Sequence, residues 1–294
     1  MHNLASILGP QARFIVLGIA LGLMALEYGA SRLAQRDNYD LKESGASLGV
    51  ALGQNLLRGA EALLVAVPFT FVYAHRLLTF DQAAPLALVG LFVGAEFFYY
   101  WQHRASHRIR WFWATHSVHH SATRLNFTAA IRLGWTGAIT GNFLFFLPLA
   151  WIGFHPLAIT AMLGLNLLYQ FFIHTELVRR LGVLEWVLNT PAHHRVHHAS
   201  NADCLDKNYG GVLIVFDRLF GTFTEGPHGE PLRYGLVGGV PTLNPFRIAL
   251  GEWRAIYTEL RKAKSARRVL AILFSPPSAF EATPRARAPT SLLA

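Results

Sequence analysis

Eight histidines in three tight groups constrain this chain more than any other feature: His103 and His107, then His116, His119 and His120, then His194, His197 and His198. On a helix, residues three or four apart share a face, so HRASH, HSVHH and HRVHH each aim two or three imidazoles at one point. Neutral imidazole is the commonest protein ligand for zinc, copper and iron. About eight convergent nitrogens exceed what one ion can hold, so the spacing predicts a two-metal site. A lone histidine reads more readily as a surface or hydrogen-bonded core residue. Here HxxHH occurs twice with the same internal spacing, near the ends of apolar stretches, and the repetition favours metal.

Those stretches bring in composition. Apolar residues make up 52% of the 294 and charged residues 15%, against about 25% charged in soluble domains, so the chain reads as a membrane protein. The net charge of +9 falls in short basic clusters between apolar runs, with no nucleic-acid-binding motif beside them. Membrane orientation and anionic headgroups account for it, and no nucleic-acid partner is expected. Cys204 is the single cysteine, so no internal disulfide forms and nothing argues for an oxidising compartment.

In order, the apolar runs lie at about 14–34, 46–73, 84–101, 129–154 and 157–173. They predict an all-α, multi-pass membrane helical bundle of about four to five transmembrane helices, each long enough for a bilayer core of roughly 30 Å. The last two, broken at His155 and Pro156, also read as a re-entrant hairpin. No small-residue cleavage site follows the first run, so it is expected to stay as a helix. Arg58 and Glu61 are three apart and placed to pair on one face, a pairing between helices being as well supported as a functional role. Residues 1–90 form the N-terminal membrane helices, 91–225 the histidine-bearing catalytic region, 226–275 a cytoplasmic or interfacial helical region, and 276–294 a tail whose Pro, Ala, Ser and Arg content predicts disorder. If the third span ends at the cytoplasm, Arg32, Arg36, Lys42, Arg104, Arg108, Arg110, Arg124, Arg179 and Arg180 all lie on that side, with only Arg13 and Arg76 opposite. The same orientation puts every histidine motif in a helical cap on the cytoplasmic face.

Hx3H, then HxxHH, then a distant HxxHH resembles the fatty acid hydroxylase/sterol desaturase superfamily of integral-membrane di-iron oxygenases. The stretch 96–223 carries the resemblance, and its later part, from HTELVRR to FDRLFGTF, is similar to the branch that includes alkylglycerol monooxygenase. The resemblance implies two iron ions, with zinc able to substitute in purified protein, and O2 as co-substrate. It also implies a lipid substrate, fatty acyl, sterol-like or ether lipid, that is hydroxylated or desaturated. It extends the ligand set to His174, which with Gln170 stands where the family carries [H/Q]x3H. Asn126, Asp206, Asn208 and Asp217 are further family-like positions; Asp217 suits either orienting a third-motif histidine or fixing a loop.

Glu96 lies two helical turns before His103, placed to accept the second ring N–H of a ligand histidine, or to make a structural hydrogen bond. Asn126, Gln170, Asp206 and Asp217 join it as supporting candidates. His193 adjoins the third motif but points about 100° away on a helix, which makes it a weaker ligand candidate. His2, His75, His155 and His228 receive no role. Gly210 and Gly211 are too short for a phosphate loop, and no Ser or Cys nucleophile has a supporting motif. With neither a cytochrome b5-like region nor a dinucleotide fingerprint in the sequence, electrons are expected from an external partner: tetrahydrobiopterin, a ferredoxin or a cytochrome. The alternative from another class is a membrane metal transporter or metal-binding protein, which would place ligands near the bilayer midplane along a path.

Overall fold

The computed structural model describes residues 10–281 apart from 228, and the backbone alone for 10–16 and 281. His2, His228 and most of the tail expected to be disordered lie outside the described residues. Those described are helical, with two isolated β-bridges and no strand.

Four helices come first: α1 (Pro10–Leu33), α2 (Leu41–Ala74), α3 (Pro85–Arg108) and α4 (Arg110–His120). Short pieces α5 (Phe127–Ala130), α6 (Gly137–Thr140) and α7 (Leu147–Ile152) lead to α8 (Pro156–Ile173). Then come α9 (Pro191–His198), α10 (Val215–Leu219), α11 (Pro245–Leu260), α12 (Ala266–Phe274) and α13 (Ser278–Glu281). The starts follow local chemistry. Asp40 caps α2 by accepting from Lys42 N at 2.7 Å and Glu43 N at 3.1 Å, satisfying amides that a first turn leaves free. Proline opens α3, α8 and α9, where its missing N–H costs nothing.

Three of these helices run between two ends of the molecule. At one end the turn after α2 meets the turn between α7 and α8: Leu77 N donates to Trp151 O at 2.8 Å and Leu78 N to Ile152 O at 3.0 Å. Gly153 is required there. Its φ is +136°, and a Cβ would lie 2.4 Å from Leu78 O. At the other end Glu43, at the start of α2, accepts from Thr123 N at 2.6 Å and Thr123 Oγ1 at 2.8 Å. There α3 and α8 also deliver their C-termini, with His103, His107 and His174. α4 crosses this end beneath α11 and α12, anchored by Arg110, which donates to Glu252 at 2.7 Å and Glu259 at 2.9 Å.

α2 and α8 are each long and apolar enough to cross a bilayer, and they turn large apolar side chains outward: Leu56 is 78% exposed and Leu63 70%. Exposed apolar faces of this extent belong to a membrane protein. The run expected to span at 129–154 does not form one helix. It breaks into α5, α6, a 3-10 turn over Asn142–Phe146 and α7, because Arg132 is drawn into a polar network and Gly141 (φ +82°) turns the chain. Arg132 is 1% exposed; it donates to Ser47 Oγ at 3.1 Å and faces Glu43 at 3.4 Å.

Candidate metal centre

The three histidine motifs and His174 meet at the ends of α3, α4, α8 and α9, in two adjoining groups. His103, His107, His116, His120 and His197 form one; His119, His174, His194 and His198 form the other. Within each group the nearest ring nitrogens all lie within 4.8 Å of one another. The groups abut where the rings of His120 and His198 stack with centroids 4.5 Å apart. Helical spacing explains the division. His116 and His120 are four apart on α4 and serve one group, while His119, about 100° round the helix from His120, serves the other. On α9, His194 and His198 go to one group and His197 to its neighbour.

Backbone carbonyls fix the tautomers. His103 Nδ1 donates to Tyr209 O at 2.7 Å, His119 Nδ1 to Arg132 O at 3.3 Å, His174 Nδ1 to Gln170 O at 2.6 Å and His197 Nδ1 to Lys207 O at 2.9 Å. A neutral ring with its proton on Nδ1 presents a bare lone pair at Nε2. Burial, then the surrounding imidazoles, holds His116, His119, His120, His194 and His198 well below the ordinary imidazole range. Burial pushes His174 and His197 down to about 4. The rings are therefore neutral.

A metal fits these nitrogens. His119 and His174 both commit their proton to a carbonyl, yet their Nε2 atoms face each other at 3.1 Å. Two lone pairs at that distance repel unless a cation lies between them. Buried His107 Nε2 and His197 Nε2 have no hydrogen-bond partner at all, and a buried polar atom left unpaired is costly. Nitrogens each about 2.1 Å from one ion are about 3.0 Å apart at a right angle and about 3.4 Å apart in a tetrahedron. The Nε2 pairs 103–116, 116–120, 174–194 and 194–198 stand at 2.9, 3.2, 3.0 and 3.1 Å, close enough for one ion to reach both members of each pair.

The remaining sequence candidates act at one remove or not at all. Glu96 touches no histidine: it accepts from Val212 N at 2.8 Å, Leu213 N at 2.9 Å and the Asn166 amide, so its role is structural rather than that of a partner to His103. Asp217 accepts from Tyr209 N and Gly210 N and fixes the loop that serves His103, a first-motif histidine. Gln170 offers His174 its backbone carbonyl, while its side chain joins Tyr99 to Asn166. Asp206 pairs with Arg108 at 2.6 Å and stays 3.9 Å from His107 Nδ1. Asn126 caps α5 and donates to Asn38 O. Asn208 bridges Thr224 and His193 O. His193 lies outside both groups, facing Glu185 at 4.0 Å against Phe223, as its 100° offset requires. Sequence reasoning missed Tyr209, Lys207 and Arg132, whose carbonyls orient ligands; no side-chain signal marks a carbonyl. It also missed Asn166, which a polar residue in an apolar helix could have flagged.

Residues 88–222 match the family model described as fatty acid hydroxylase. Alkylglycerol monooxygenase of Xenopus tropicalis is 37% identical over 218 residues, 74% of this chain and 48% of that protein. The Homo sapiens protein of the same name is 38% identical over 72% of this chain and 46% of its own length. Ornithine lipid hydroxylase OlsE of Rhizobium tropici is 29% identical over 68% of this chain and 60% of its own. The chain thus spans about half the length of the alkylglycerol monooxygenases it matches. No solved structure matches it.

Proposed function

Because the chain belongs, through residues 88–222, to the fatty acid hydroxylase family, we propose that it is a multi-pass membrane lipid monooxygenase with two irons in the histidine groups on the cytoplasmic face. One observation carries this reading: His119 and His174, both proton-committed on Nδ1, turn bare Nε2 atoms toward each other at 3.1 Å inside a set of nine neutral imidazoles. Bound iron would supply the redox chemistry that splits O2 at a C–H bond. In balance, a lipid C–H, O2, two electrons and two protons become a lipid C–OH and water, the electrons coming from an external donor.

The chain's own residues prepare that reaction in three ways. Carbonyls of Tyr209, Arg132, Gln170 and Lys207 hold four rings as Nδ1–H tautomers, so the other nitrogen is always presented to metal. Burial keeps the ligands unprotonated at neutral pH, so protons do not compete with the ions. Trp113, with its ring 5.2 Å from His107 and 5.6 Å from His120, packs against these two rings and holds their orientation. Iron is proposed on the chemistry of the reaction, which needs a redox-active ion, since imidazole itself accepts zinc as readily. Lipid is favoured as substrate because the ligands lie at the end of apolar, outward-facing helices.

The test is joint. The purified full chain loaded with iron is expected to hold two irons and, given a reductant and membrane lipid extract, to consume O2 and add one oxygen to a lipid, read by mass spectrometry. His119→Ala and His197→Ala, one in each group, should each lower the iron content and abolish turnover while the protein stays in the membrane. Full turnover by either variant overturns the ligand assignment. Loss of two hydrogens would make the reaction a desaturation, and movement of metal across vesicles without O2 uptake would favour a transporter.

A further inference from the structure

Resting on the lipid monooxygenase reading, we infer that a cavity on the cap side of the histidines receives the segment of the lipid that is oxidised, and that Trp113, Leu236 and Val237 select the carbon reached. The cavity holds about 80 Å³, room for about five to eight water-sized groups. A short stretch of chain fits there and a whole lipid does not. His107, His120 and His197 border it from one histidine group and His198 from the other, so a segment inside touches both groups at the place where they stack.

Opposite the histidines its lining is mixed: Trp113, Leu205, Leu236, Val237 and Pro277 supply apolar surface, and Ser200, Asp206 and Ser278 supply polar groups. Trp113 is wedged against two ligand rings and cannot yield without moving them. Leu205 and Val237 are 42% and 40% exposed, which puts them at the mouth, and the Arg108–Asp206 ion pair sits there too, with the Arg108 side chain 53% exposed. Apolar surface with a few placed polar groups is what a small-molecule site offers, and a charged rim beside apolar surface matches the junction of headgroup and chain in an amphiphile. The cover is fastened to the third motif, since Ser200 N donates to Arg233 O at 2.7 Å and Ala199 bridges to Tyr234. Residues 235–237 and 277 lie outside the segment matching the family model. The carbon reached is accordingly one near the headgroup.

The iron-loaded full chain in phosphatidylcholine vesicles would be irradiated with two probes, an alkylglycerol and a fatty acid, each bearing a diazirine beside its polar end. Label is expected on Trp113, Leu236 or Val237. Val237→Trp should cut labelling of Trp113 at least tenfold with two irons retained, and Val237→Ala, which leaves more room, should raise it. Label from both probes confined to the outward faces of α2 and α8 overturns the proposal, as does unchanged labelling in both variants. Label at the cavity, with no oxidised product when the same vesicles are given O2 and a reductant, would instead refute the monooxygenase reading and leave the cavity assignment standing.

Discussion

Asp217 accepts hydrogen bonds from Tyr209 N at 2.8 Å, Gly210 N at 2.7 Å and the Thr222 hydroxyl at 2.6 Å, and this turns the Tyr209 carbonyl toward His103. Asn at this position has one acceptor oxygen, and its NH2 would oppose a backbone N–H. Asp217→Asn is therefore expected to weaken metal binding in the five-histidine group by about 10–100-fold, as removal of a supporting partner typically does, while the four-histidine group keeps its affinity; a metal titration of the purified protein separates the two. Burial also has a pH consequence. His197 is pushed from 6.5 down to about 4, so as pH falls below 6.5 the unfolded chain takes up a proton that the fold refuses until about 4. The stability is present above 6.5 and is lost across that window, on the order of 3 kcal/mol for this one ring. Metal-free protein melted in detergent at pH 7, 5.5 and 4.5 should show a falling Tm; a flat profile would mean the rings are hydrated. The histidine motifs were legible because their order is local, positions three and four apart on a helix. The carbonyls of Lys207, Tyr209 and Arg132 were not, since every residue has one and only the fold decides which is aimed at a ring.

At the level of elements, the instructive stretch is 129–154. Its apolar run reads as a span, and hydropathy gives no warning that the chain bends inside it. The bend frees the Arg132 carbonyl for His119 and lets Gly134 come against α4, where a Cβ would lie 2.3 Å from Thr115 O. That approach was invisible in sequence because it depends on what lies opposite, whereas α2, α3 and α8 were legible from length and hydropathy, and their first turns from Asp40 and the prolines. Gly134→Ala forces backbone against backbone, so α4 must shift from the 132–134 segment. Overpacking of this kind costs about 1–3 kcal/mol. The expected outcome is a lower Tm together with weaker metal binding in both groups, since α4 carries His119 for one and His116 and His120 for the other; thermal melting and metal titration of the variant check both.

For the whole molecule the decisive feature is polarity between its two ends. α2, of 34 residues, and α8, of 18, at 1.5 Å per residue are about 51 Å and 27 Å long, so α8 just matches a bilayer core and α2 overruns it. Both connect the turn near Leu77 and Gly153 with the histidine end. Arg104, Arg108, Arg110, Arg124, Arg179 and Arg180 all belong to the histidine end, while Arg76 stands at the far turn, donating to Thr79 and Tyr73 O. Cationic loops are retained in the cytoplasm, so this distribution supports the proposed placement of the histidines on that side, and they gather at the ends of α3, α4, α8 and α9 rather than midway along α2 and α8, where a transport path would need them. The single native thiol, Cys204, is buried, which makes the chain suited to reporter cysteines. Thr79→Cys, at the exposed far turn, is expected to react with a membrane-impermeant maleimide on intact cells. Val183→Cys, 81% exposed in the native residue and between His174 and the third motif, should react only after permeabilisation. The reverse pattern would place the histidines outside, and labelling of both from one side would mean that α2 and α8 lie on the membrane instead of crossing it.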